Sequence, residues 1–116
     1  MGAVTFETLA LGKTADEAFS NAVEDAKHMH GHAGYTGTIA EKSSFTVIPE
    51  SEHRGRQKLT VARKLIDQAD QRIQRKRGPA GAINCSGTET AKRYREQHGL
   101  EGKYGDVWLF FGWAAH

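Results

Sequence analysis

At 116 residues, with 38% hydrophobic and 26% charged side chains, the chain has the bulk properties of one folded domain, residues 1–116, and not of a disordered segment. Its single cysteine, Cys85, excludes an internal disulfide, and no apolar run approaches the about 20 residues that a membrane helix needs. The net charge of +2 hides an asymmetry: residues 1–53 sum to −5, residues 54–77 to +7, and residues 78–116 to zero. The lone cysteine and the lack of a basic start followed by an apolar run lead us to expect a cytoplasmic protein without a signal peptide.

Val4, Phe6 and Thr8 alternate with Thr5, Glu7 and Leu9, the period of a half-buried strand. Thr14 with Glu17 three residues on forms a capping box and opens a helix. Phe19, Ala22, Val23, Ala26 and Met29 give that helix an apolar stripe, and Gly31 suits its end. The segment Tyr35 to Glu41, rich in β-branched residues, reads as a strand. Lys42 to Ser44 then reads as a turn and Phe45 to Ile48 as a second strand, together a hairpin closed by Pro49.

Residues 56–76 carry Leu59, Ala62, Ile66, Ala69 and Ile73 at helical spacing, with Arg, Lys, Gln and Asp opposite, up to Gly78-Pro79. A loop through Cys85 is expected next. Ser86 and Glu89 then open a short helix ending at Gly99, and Val107 to Phe111 is the last strand. The predicted class is α+β in the order β-α-β-β-α-(α)-β. That order corresponds to a ferredoxin-like sandwich, a four-stranded antiparallel sheet with its helices on one face.

The chemistry-bearing clusters each have a plain structural reading beside the functional one. His28, His30 and His32 would share a face on a strand and ligate a metal, but here they straddle a helix terminus and diverge, so no metal is expected. Gly31, Gly34 and Gly37 follow a helix C-terminus, whose carbonyls repel anions, and so suit a turn better than a phosphate loop. Tyr35, Thr36, Lys76, Arg77, Gly78, Ser86 and Thr88 combine a basic cluster with a loop that enters a helix N-terminus. They are the candidate ligand or anion site, against the alternative of a plain loop and a capped helix.

Nine basic residues between Arg54 and Arg77 fit nucleic acid or an acidic partner, or a solvated helix face; no aromatic side chain lies among them for base stacking. No nucleophile elbow, zinc-protease, Walker or Rossmann signature is present, so no catalytic residue and no cofactor are expected.

Val107 to Trp113 is apolar at both parities. On an edge strand with helices over one face only, Trp108, Phe110 and Trp113 would be an open aromatic surface for a partner or a second copy. The alternative is that other parts of the chain cover that face. Hot-spot chemistry adds Arg63, Arg72, Arg75, Lys76 and Arg77 as partner contacts.

Three segments, Gly34 to Lys42 (GYTGTIAEK), Gly78 to Ile83 (GPAGAI) and Phe110 to Ala114 (FFGWA), resemble small uncharacterised proteins of bacteriophages and other bacterial mobile elements. The resemblance implies a setting in the cytoplasm of a bacterial host. It also implies an accessory protein that binds and disables a host protein or complex, a defence system such as CRISPR among them, with no membrane partner. The alternative is a small-ligand or nucleotide-binding domain using residues 76–88, or nucleic-acid binding through residues 54–77.

Overall fold

The computed structural model describes residues 2–31 and 34–116. Strand β1 (Ala3–Gly12) leads into helix α1 (Ala15–His30), then β2 (Phe45–Val47), α2 (Lys58–Asp67), β3 (Ala80–Asn84), α3 (Glu89–Gln97) and β4 (Asp106–Ala115). The fold is α+β, and the four strands form one sheet in the order β1-β4-β3-β2. β4 pairs antiparallel with both β1 and β3, whereas β2 pairs parallel with β3, so the sheet is mixed and not purely antiparallel. No helix among the described residues is long and apolar enough to cross a membrane.

Helix α1 forms as its capping box directs. Thr14 Oγ1 accepts from the Glu17 N–H at 3.1 Å, and the Glu17 carboxylate reaches back to the Lys13 N–H at 3.0 Å. Ala18 and Ala22 are buried and Phe19, Val23 and Ala26 pack beside them, while Met29 falls outside the core at 77% exposure.

The predicted hairpin does not form. Gly34 and Gly37 take φ of 84° and 70°, a conformation that breaks an extended chain. Thr38 caps a 3-10 turn over Ile39–Glu41, and the Glu41 carboxylate accepts from both the backbone N–H and the hydroxyl of Thr36. Residues 35–41 therefore close on themselves, and β2 is left to pair with β3.

The predicted long helix stops at Asp67 instead of 76. Asp70 N–H bonds to the Leu65 carbonyl and Ala69 N–H to the Ile66 carbonyl, with Ala69 at φ 49°. This is a Schellman closure with alanine where glycine is usual. The Asp70 carboxylate then accepts from the Arg72 N–H, a local turn that competes with helix continuation. Ile73 still reaches the core through this turn, at 1% exposure.

Residues 80–84, expected as loop, are strand β3. Gly81 lies against the Phe111 ring so closely that a Cβ would stand 2.5 Å from its Cζ. Small residues at 80–82 let α1 and the Phe110 and Phe111 rings pack onto the middle of the sheet.

Alternate residues of β4 enter two separate cores. Val107, Leu109 and Phe111 pack with Val61, Leu65 and Ile66 of α2 and Ala91 of α3, while Phe110 and Ala114 pack with Ala18 and Ala22 of α1. Successive side chains of a strand point to opposite faces, so helices cover both sides of the sheet. The one-face ferredoxin-like sandwich is corrected on both counts, strand direction and helix placement.

Candidate functional site

The aromatic strand is the sheet's interior. β4 lies between β1 and β3, and Phe110 and Phe111 are fully buried. Phe110 meets Phe19 and Phe45 with ring centroids 5.5 and 5.7 Å away, so it presents nothing to a partner. Trp108 packs partly into the α1-side core and Trp113 into the α2-side core, each with a buried indole N–H that has no hydrogen-bond partner among the described residues. The open aromatic surface expected of Trp108, Phe110 and Trp113 is corrected at Phe110, which is buried because the closing strand entered the middle of the sheet and not its edge, while Trp108 and Trp113 stay partly exposed.

Part of the basic segment is neutralised internally. Arg63 makes a two-pronged pair with Glu7 of β1 at 3.0 and 3.2 Å. Arg72 clasps Glu52 with two bonds of 2.8 Å and also Asp70, and these carboxylates, Glu52 first, raise its pKa further. The acidic first half of the sequence thus supplies the counter-charges for these two arginines.

The predicted anion loop is divided by β3. Tyr35 lies beside Arg77, whose guanidinium stands 5.2 Å from its ring centroid. Buried Lys42 donates to the carbonyls of Arg75, Lys76 and Gly78, tying this end together. The segments at 35–42 and 75–78 therefore meet. Ser86 and Thr88 lie past the other end of β3, whose five residues span roughly 16 Å. The seven residues do not form one site. His28 and His30 are exposed in the last turn of α1, and His32 lies outside the described residues. Among the described residues no three His, Cys, Asp or Glu side chains stand together as a metal site.

The end of β3 that carries Ser86 and Thr88 is where chemistry gathers. β2 and β3 run parallel, so their carboxyl ends finish side by side, each followed in the chain by a helix. Ligands of open α/β sheets bind in such crevices, where helix N-termini direct free N–H groups outward. A cleft of about 430 Å³ opens there, lined by Ile48, Glu50, His53, Arg54, Lys58, Asn84, Ser86 and Thr88 among others. A second cleft of about 520 Å³ shares Gly55, Lys58 and Thr88 with it and adds Arg56, Leu59, Glu89 and Arg93.

Thr88, not Ser86, caps α3, accepting from the Ala91 N–H at 3.1 Å; Ser86 N–H instead donates to the Asn84 side chain at 2.8 Å. The first turn of α2 has no side-chain cap. Its N-terminal N–H groups are accordingly free for solvent or a ligand.

His53 is the unusual member. It is 4% exposed, and its Nδ1 is buried without a hydrogen-bond partner among the described residues. Burial first and the nearby Lys58 ammonium second hold the imidazole below its ordinary pKa of 6.5. Lys58 Nζ donates to the His53 carbonyl at 2.7 Å, a neutral acceptor that leaves its charge uncompensated. Cys85, beside the cleft, is buried, and burial pushes its thiol up to about 11, which keeps it from acting as a thiolate nucleophile.

The sequence reading reached Ser86 and Thr88, took in Asn84 only as part of the 76–88 loop and Arg54 and Lys58 only as part of the basic 54–77 run, and missed His53. The missing signal was β3 itself, since without a strand at 80–84 nothing places the turn at 50–55 beside Ser86. No family model, no curated protein and no solved structure matches this chain.

Proposed function

We propose that this protein binds a small phosphate-bearing ligand in the cleft at the carboxyl ends of β2 and β3. The observation that carries this reading is the buried, unpartnered His53 Nδ1 in a cleft shared by the N-termini of two helices and the Lys58 ammonium. Buried polar atoms are nearly always satisfied, and one left open beside a cleft marks a place for a ligand group. The charge agrees. Arg54, Arg56, Lys58 and Arg93 line the two joined clefts against Glu50 and Glu89. The two carboxylates are engaged with Arg54, at 3.2 Å, and Arg93, at 4.0 Å, which leaves Arg56 and Lys58 as the excess positive charge. Helix N-termini and cations together favour phosphate oxygens.

The test is thermal unfolding with a panel of phosphate monoesters, pyrophosphate and a neutral sugar. A phosphate-dependent rise in Tm, absent with the neutral sugar, is expected. Lys58→Ala should weaken binding about tenfold, the loss of one charge-assisted contact, without lowering the Tm of the free protein by more than a few degrees. No rise with any phosphate compound would overturn the reading.

A further inference from the structure

We infer that the outer edge of β1 takes up an extended, basic peptide of a partner protein as a further strand of the sheet. β1 is one end of the sheet, and its ten residues pair with β4 one for one, without a bulge. The His116 N–H donates to the Gly2 carbonyl at 3.1 Å, which makes that a hydrogen-bonded pair. Alternation along an antiparallel ladder then turns the backbone groups of even-numbered residues to β4 and those of Thr5, Glu7, Leu9 and Leu11 outward. Asn21 Nδ2 takes the outward Leu11 carbonyl at 2.9 Å, but among the described residues nothing bonds to the outward backbone groups of Thr5, Glu7 and Leu9. The other edge, β2, is three residues long and ends just before Pro49, whereas β1 carries no Pro or Lys and its one charge, Glu7, is held by Arg63. Such an unguarded edge is a template for a further strand.

The surroundings select the occupant. A groove of about 600 Å³ is lined by residues 6–9 of β1, by Ala22, Asp25, Ala26 and Met29 at the spacing of one face of α1, and by Tyr94 and His98 of α3. α1 packs on one face of the sheet and α3 on the other, so a groove lined by both runs past the edge of β1. No Lys or Arg lines it. Glu7 is engaged with Arg63, while Asp25 is exposed and has no ion-pair partner among the described residues. α1 as a whole carries Asp16, Glu17, Glu24 and Asp25 against Lys27. A second copy would bring the same acidic helix to this edge, like charge against like. A peptide with Lys or Arg at alternate positions meets Asp25 and the β1 backbone together. This edge lies across β4 from the phosphate cleft, so the inference stands apart from that reading.

Amide hydrogen exchange, read by NMR on the full chain, would be followed without and with an end-capped hexapeptide of alternating Lys and Val. In the free protein Glu7 and Leu9 should exchange freely while Phe6 and Thr8 are protected, and the peptide should slow Glu7 and Leu9 about tenfold or more. Its fully N-methylated counterpart, which has no N–H to donate, should have no effect. Asp25→Lys, at an exposed position, should leave Tm unchanged, weaken the Lys-Val peptide about tenfold in isothermal titration and make a Glu-Val peptide the better ligand. Unchanged exchange at Glu7 and Leu9 with millimolar peptide, equal slowing by the N-methylated form, or equal binding of the Lys-Val and Glu-Val peptides to the unaltered protein would overturn the inference. So would Glu7 and Leu9 amides already protected in the free protein, and protection that fades on dilution would assign the edge to a second copy instead.

Discussion

Lys42 shows how a single side chain can organise a region that neither helix nor strand controls. It is 4% exposed, stands 6.0 Å from the centre of the Phe6 ring, and offers its ammonium to three carbonyls at 2.9 to 3.3 Å. Those carbonyls belong to the segment that delivers the chain into β3. Lys42→Met would remove the one donor that these three part-buried hydrogen bonds share and should destabilise the protein by about 1–3 kcal/mol, measured by urea unfolding at pH 7.

Burial lowers the Lys42 pKa from 10.5 to about 8, so above pH 8 the unfolded chain holds a proton that the folded one has released. Stability therefore rises with pH through this window, and below it the group contributes no slope. Cys85, raised from 9 to about 11, works in the opposite direction above pH 9, so the lysine's contribution stands clear between pH 8 and 9. A rising unfolding free energy there, flattened in Lys42→Met, is the expected result. A flat wild-type profile would mean that the carbonyls keep the ammonium charged despite its burial.

Among the elements, α2 shows why a periodic pattern overran the helix it described. Ile66, Ala69 and Ile73 continue the helical spacing, and Ile73 is in the core, yet the helix ends at Asp67. The stop is a backbone closure at Ala69, which takes φ 49° and carries no glycine to announce it. An L-residue with a side chain is strained by about 1 kcal/mol in this conformation. Ala69→Gly should therefore stabilise the protein by about 0.5–1 kcal/mol, read as a raised urea midpoint with an unchanged slope. A loss of stability would mean that the alanine methyl makes contacts worth more than the strain.

β3 was missed for the opposite reason. Its sequence Ala-Gly-Ala-Ile-Asn has no aromatic and one β-branched residue, Ile83, to mark a strand, because its small residues sit directly under Phe110, Phe111 and α1. Its propensity is weak, and close packing makes it a strand.

For the whole molecule, the deciding feature is that the last strand inserts between the first and the third. This places β4 where it supplies both cores and puts helices on both faces of the sheet. Phe110→Ala should then cost about 3–5 kcal/mol, a large share of the 5–15 kcal/mol typical of a domain, visible in chemical denaturation. A loss below about 1 kcal/mol would restore Phe110 to the surface. The same topology sets β2 parallel to β3 and thereby creates the cleft, since only parallel neighbours bring two strand ends and their following helices to one side.

Some of this was legible in the order of residues alone. The class, β1, α1 with its capping box, the core-facing residues Leu59, Ala62 and Ile66, and the two-sided apolar character of β4 all follow from local spacing, which depends on 3.6- and 2-residue periods and nothing further away. The charge asymmetry also had a local trace, and the pairs Arg63–Glu7 and Arg72–Glu52 neutralise part of it. What only the tertiary structure decided was which strands are neighbours, and with that the fate of Phe110, the strand character of 80–84 and the meeting of His53, Lys58 and Ser86. The physical reason is that a sheet's order is fixed by hydrogen bonds and packing between segments far apart in the chain. Gly81 against Phe111 and Lys42 against the 75–78 carbonyls are interactions of that kind, and no local period encodes them.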